Sequence, residues 1–254
     1  MSLVQINIKG VFMLYRLCQI LLLLIISPLA FGNNEILNYT AGNQKTILIH
    51  NSFGDVHIAP STSNKISIVA SKKKWGARCL LNIDPKAKDA FHIEINDQGW
   101  VMDNECRVDL IVSIPQSMKV ILRAGNGNVD VVGTRGDLDV KVGSGKIRVQ
   151  SELKSLSALT ASGDIQFKGW AEKTQIKTGY GDIELTLQQK GQGRVVADAG
   201  KGDVLIMLPE NSKVSAKTST GNGYVTNSFS NSKEAADLDL QVSSGDGDVR
   251  IREN

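Results

Sequence analysis

Large side chains are scarce in this chain: aromatics make up 5% of its 254 residues, beside three cysteines, three histidines and five prolines. So few rings suit thin layers better than a thick globular core. No CxxC pair and no cysteine with a histidine at ligand spacing is present, which argues against redox catalysis and zinc. Neither a GxSxG nucleophile elbow nor an HExxH pattern occurs, so the common hydrolase and metalloprotease signatures are missing. A formal charge of +3 gives no electrostatic case for nucleic acid. The one long apolar run, at 17–26, is too short to span a bilayer comfortably as a helix, which takes about 20 residues.

What the chain does have is 24 glycines, and they are periodic. Gly179-Tyr180-Gly181-Asp182-Ile183-Glu184-Leu185 has near-copies around Gly54, Gly127, Gly145, Gly163, Gly202, Gly223 and Gly247. Gly127, Gly145, Gly163 and Gly181 are 18 residues apart, Gly202 and Gly223 follow at steps of 21, and Gly247 after 24. Small or apolar residues precede each glycine by 7, 5 and 3 positions, as in Val120, Leu122 and Ala124. They return 2 and 4 positions after it, as in Ile183 and Leu185. Period two on both sides of a glycine turn predicts two short strands per coil with apolar inward faces. One coil cannot bury that row, but its neighbours can, which predicts an all-β β-solenoid of about 18 to 21 residues per coil.

Residues 1–32 contain Lys9 and Arg16, no acid, the apolar run and a small-residue site at Ala30-Phe31-Gly32, the order of a secretory signal peptide. Met13 is an alternative start, and an uncleaved anchor is the alternative reading. Cys18 lacks the small residues that precede a lipoprotein cysteine. The β-solenoid domain is therefore expected over 33–254, with no transmembrane span after cleavage and a net charge of +1. Its register breaks at 71–105, where Lys72-Lys73-Lys74-Trp75 and Trp100 fall, and this segment is expected as a hairpin-like insert beside the rod. Cys79 and Cys106 flank it in a chain bound for an oxidising compartment. A disulfide is expected, with two free thiols as the alternative.

Chemistry is harder to place. Asp164, Asp182, Asp203 and Asp248 each follow their turn glycine and would line one edge. Such a row could load calcium, but Asn128, Lys146 and Tyr224 interrupt it, and an aspartate bonding its own turn amides is the plainer reading. His50, His57 and His92 read as strand or surface residues. A carbohydrate-active β-helix enzyme would need clustered carboxylates on one face. The outward Asp130, Asp139, Arg148 and Glu184 are instead mixed and dispersed. Tyr180 and Tyr224 flank turns on the edge that carries Asp164, Asp182 and Asp203. That strip could stack on sugars or proteins, or each tyrosine could simply cover the next turn.

The repeated G-x-G-D-V-x-V unit, Val112-Ser113-Ile114-Pro115 and Leu208-Pro209-Glu210 ahead of Gly221-Asn222-Gly223 resemble the DUF4097 adhesin β-strand repeat family over 45–251. The resemblance implies a right-handed single-chain β-helix at the cell envelope or exterior, akin to autotransporter adhesin heads, with no catalytic residues to carry over. The expectation is an exported, non-catalytic module, periplasmic or at the cell surface, that binds an envelope protein or glycan. No cofactor or metal is expected, and no catalytic residue is assigned. A polysaccharide-active β-helix enzyme and a calcium-binding β-roll are the alternatives.

Overall fold

Alternating rows on either side of a glycine turn become, in the computed structural model, ladders of short strands. It describes residues 34–85, 90–97, 106–229 and 236–254, so the expected signal peptide at 1–32 lies outside the described residues. About three quarters of the described residues are in strands and none is in a helix. In chain order the strands begin with β1 (Asn34–Thr40), β2 (Thr46–Phe53), β3 (Val56–Ser61), β4 (Lys65–Trp75), β5 (Cys79–Asp84), β6 (Phe91–Asp97) and β7 (Cys106–Pro115). The middle of the chain forms β8 (Lys119–Asn126), β9 (Val129–Val132), β10 (Asp137–Ser144), β11 (Ile147–Ser162), β12 (Ile165–Tyr180) and β13 (Ile183–Leu187). The last six are β14 (Gly193–Lys201), β15 (Val204–Leu208), β16 (Val214–Asn222), β17 (Val225–Asn227), β18 (Leu238–Asp246) and β19 (Val249–Glu253).

Two legs of strands follow the repeat, and their pairs are parallel except that β4 meets β7, and β1 meets β4, antiparallel. Before the turns, the strands stack in the order β6, β2, β8, β10, β11, β12, β14, β18, β16. After the turns the order is β4, β7, β3, β9, β11, β12, β13, β15, β19, β17, with β1 closing the outer edge against β4. In the middle, each residue pairs with the one a repeat away, as Val120, Leu138 and Leu156 do. Inward side chains such as Val140, Ile147, Ile165, Ile183 and Val204 are essentially inaccessible. Each contributes roughly 1.5 to 3 kcal/mol by leaving water.

Neither end follows chain order. At the C-terminal end the last rung, β18 with β19, lies inside the rung made by β16 and β17. Val249 is paired with Val204 on one side and Val225 on the other. The inward rows explain the exchange. Those of β18 and β19 are Leu238, Leu240, Val242, Ser244, Val249 and Ile251, all buried. Their partners in β16 and β17 are Val214, Ala216, Thr218, Thr220, Val225 and Asn227. The row with three polar members sits at the open end, where half its contacts are missing anyway, and the row with one, Ser244, is covered from both sides.

The other end corrects the expectation for 71–105. Its described part is a hairpin as far as β5 and β6 go, which pair antiparallel. It does not lie beside the stack, because β6 joins β2 in parallel through Ile47 and Phe91. Phe91, Ile93 and Ile95 are buried, so this segment lengthens the core by one rung. Its strict alternation is that of a ladder strand, and only its chain position disguised it. Trp100 and its neighbours at 98–105 lie outside the described residues.

Candidate functional site

The glycine turns of successive rungs form one continuous edge, and their geometry explains the repeat. Gly54, Gly127, Gly145, Gly163, Gly181, Gly202, Gly223 and Gly247 all have φ between 121° and 151°, a region that side chains disfavour. At Gly181 a Cβ would also collide with the carbonyl oxygen of Gly163 on the next rung. Close stacking and backbone conformation therefore demand the same residue.

The carboxylates beside these glycines do not bond their own turn, which corrects the plainer sequence reading. Each reaches across to the next rung. Asp164 Oδ1 accepts from the Asp182 amide at 3.1 Å, Asp182 from Asp203 at 2.8 Å, and Asp203 from Asp248 at 2.9 Å. Asp248 then accepts from the Tyr224 amide at 2.9 Å. Nearer the N-terminal end, Asp109 accepts from Asp55, Asp55 from Asn128, and Asn128 from Lys146. Asp109 escaped the sequence reading because its strand carries no glycine turn. Lys146 has no acceptor to continue the series, and its ammonium lies 3.1 Å from Asp164 Oδ2 instead. A parallel row of hydroxyls reinforces the edge: Thr178, Ser244 and Thr220 each donate to a turn-glycine carbonyl one rung away, at 2.7 to 2.8 Å.

Stacked carboxylates repel, and cations offset part of that repulsion. Arg250 lies 2.6 Å from Asp248 and 3.4 Å from Asp203. The amide of Asp182, ahead of the Lys146 ammonium, holds the Asp164 carboxyl below the usual carboxylate value. The Tyr224 amide and then Arg250 do the same for Asp248, and Asp248 in turn raises Arg250. Among the described residues no group of three or more His, Cys, Asp or Glu is arranged to hold a metal ion.

Tyr180 and Tyr224 stand on this edge, 62% and 80% exposed. Chain order puts them two rungs apart, but the exchanged rung makes it three, through Lys201 and Asp246 to Asn222. At about 4.8 Å per rung they are roughly 14 Å apart along the stack. Lys201 Nζ lies 6.0 Å from the Tyr180 ring centre, and Asn222 donates to Asp246 at 3.1 Å.

The remaining sequence candidates are dispersed. His50 and His57 are exposed on different legs, and His92 is exposed on β6. Asp139 is held by Arg123 through two bonds, Asp130 lies 3.7 Å from Arg148, and Glu184 accepts from Gln166. Each of these carboxylates is engaged by a neighbour of its own. Cys79 and Cys106 form a disulfide that ties β5 to β7. Beside it, Lys72 bonds Glu35 at 2.9 Å and lies 4.3 Å from the centre of the half-exposed Trp75 ring.

The family model of Toastrack DUF4097 matches residues 44–253. The chain belongs to this family. The match spans the Toastrack stack from β2 to the end of β19, including the segment at 71–105. A putative adhesin from Bacteroides fragilis NCTC 9343 is 14% identical over 86% of this Toastrack chain and 96% of its own, with a TM-score of 0.55. At that identity the likeness shows a shared fold. A putative cell adhesion protein from Clostridium sporogenes ATCC 15579 is 15% identical over 87% of this chain and 99% of its own, with a TM-score of 0.45. A putative lipid binding protein from Parabacteroides distasonis ATCC 8503 is 10% identical over 88% and 98%, with a TM-score of 0.40. No protein of curated function matches.

Proposed function

We propose that this Toastrack chain is an exported, non-catalytic binding module of the cell envelope, and that the turn edge with Tyr180 and Tyr224 is its working surface. The observation that carries the reading is two largely exposed tyrosines on a backbone fixed at each rung from Asp164 to Tyr224 by amide-to-carboxylate bonds. A rigid aromatic anchor binds at low entropic cost, since the backbone is already ordered and a tyrosine has two side-chain torsions to fix. Burial so slight does little for the neighbouring turns, which favours binding over covering. The Cys79–Cys106 disulfide supports an oxidising compartment beyond the first membrane. The adhesin description of the structural relative from Bacteroides fragilis points the same way.

The proposal includes a cleaved leader at 1–32 and a right-handed coil, the hand that parallel crossover connections almost always take. It places the protein in the periplasm or on the cell surface, facing an envelope protein or glycan. Engagement of the ladder carboxylates by amides and cations removes the motive for a calcium roll.

Tyr180→Ser with Tyr224→Ser tests the reading. Retention of intact-envelope material on immobilised protein should fall to background while the melting temperature stays within about a degree. A double variant that melts several degrees lower and still retains its partners makes the tyrosines structural and moves the surface to the Lys72 and Trp75 segment.

A further inference from the structure

At the corner opposite the glycine turns, a cleft of about 190 Å³ opens between Trp170 and the turn linking β15 to β16. Trp170 is half-buried and packs on the core, so its indole is held in place. Gly191 lies against it: a Cβ there would be 2.7 Å from Cζ2 and 3.2 Å from both Cε2 and Cη2. Any side chain at 191 would therefore push the ring or fill the cleft. Around the indole stand Gln189, Lys190, Asn211, Lys213 and Asp237, all exposed.

The backbone here is ordered, and most of these side chains are chemically unspent. Gln189 donates its amide to Glu152 at 2.8 Å, which leaves its oxygen free to accept. Asn211 adopts φ 57°, the left-handed conformation asparagine tolerates, and the Asp237 amide donates to the Lys213 carbonyl at 3.1 Å. Neither Lys190 nor Lys213 has a carboxylate within ion-pair distance among the described residues, although ten such pairs occur elsewhere.

We infer that this corner binds a sugar ring bearing a carboxylate, as in an acidic polysaccharide. The apolar C–H face of a pyranose covers the indole, while its hydroxyls meet Asn211, Asp237 and the Gln189 oxygen. Lys190 and Lys213 supply the charge-assisted bonds that a uronate carboxylate needs. The cleft is smaller than the roughly 300 to 1,000 Å³ of sites that enclose a drug-sized ligand. It therefore takes one ring, and the rest of the glycan runs along the outside.

The site is independent of the tyrosine edge and is tested separately. The chain has three tryptophans, so Trp75→Phe with Trp100→Phe leaves Trp170 as the only indole reporter. Tetragalacturonate should change its fluorescence saturably, with maltotetraose at least ten-fold weaker. Lys190→Ala with Lys213→Ala should weaken tetragalacturonate binding at least ten-fold with an unchanged melting temperature, measured by calorimetry in the otherwise native chain. Tyr180→Ser with Tyr224→Ser should leave the response intact. Absence of a saturable response, equal binding of the neutral oligomer, or indifference to the double lysine change would each overturn the assignment.

Discussion

Val225 and Val249 are the same residue at the same repeat position, paired directly with each other, yet the exchanged rung order gives them opposite energetic weight. Val249 is fully buried between Val204 and Val225, whereas Val225 is 44% exposed at the open end. Truncating a buried valine to alanine deletes two methyl groups, each worth about 0.5 to 1.5 kcal/mol once the cavity is included. Val249→Ala should therefore cost about 1 to 3 kcal/mol. Val225→Ala leaves a half-solvated gap that water or a side-chain shift can fill, so its cost should stay below about 1 kcal/mol. For a domain of this size each kcal/mol moves the melting temperature by roughly 2 to 4 °C. Far-UV circular dichroism melts of the two variants, disulfide intact, should separate them by several degrees, with Val249→Ala lower. A chain stacked in sequence order would make Val249 the terminal residue and Val225 the covered one. Equal melting points, or a larger loss at Val225, would refute the exchange.

The lowered carboxyl values at Asp164 and Asp248 make stability depend on acid. A group whose folded value lies below its unfolded value of about 3.8 contributes fully above that pH and loses the contribution as pH falls through the folded value. Melting temperature should hold steady from pH 7 to pH 5 and drop below about pH 4. Asp164→Asn, which keeps the acceptor for the Asp182 amide and removes the titration, should flatten that drop; an unchanged acid profile would count against the ladder. The Cys79–Cys106 link spans 27 residues, so its loss should cost about 3 to 4 kcal/mol on the loop-entropy model. Cys79→Ser with Cys106→Ser should melt well below the oxidised protein, and two titratable thiols in exported material would show that the bridge does not form in the cell.

Much of this architecture is legible in one dimension. A period-two row on each side of a recurring glycine dictates strand, turn and inward face locally. Val120, Leu138 and Leu156 therefore meet in the ladder at the spacing their repeat implies. The turn glycines were equally legible, because their need for positive φ and the absence of a Cβ are properties of single residues. Trp170 was not legible: it is one aromatic inside a strand pattern, and only the stack brings it against Gly191 and the turn before β16.

Rung order was decided only in three dimensions. Parallel pairing is nearly indifferent to which copy of a repeat lies above which, since every copy presents the same backbone ladder and the same turn. The choice falls to whole inward rows. Thr218, Thr220 and Asn227 tolerate an open end, while Leu240, Val242, Val249 and Ile251 each lose burial there, so the stack places the last rung of the chain next to last. The same competition draws Phe91, Ile93 and Ile95 into the core from a segment whose place in the chain suggested an insert. Sequence determines what each rung is, but which rungs are neighbours depends on comparing burial among all of them at once.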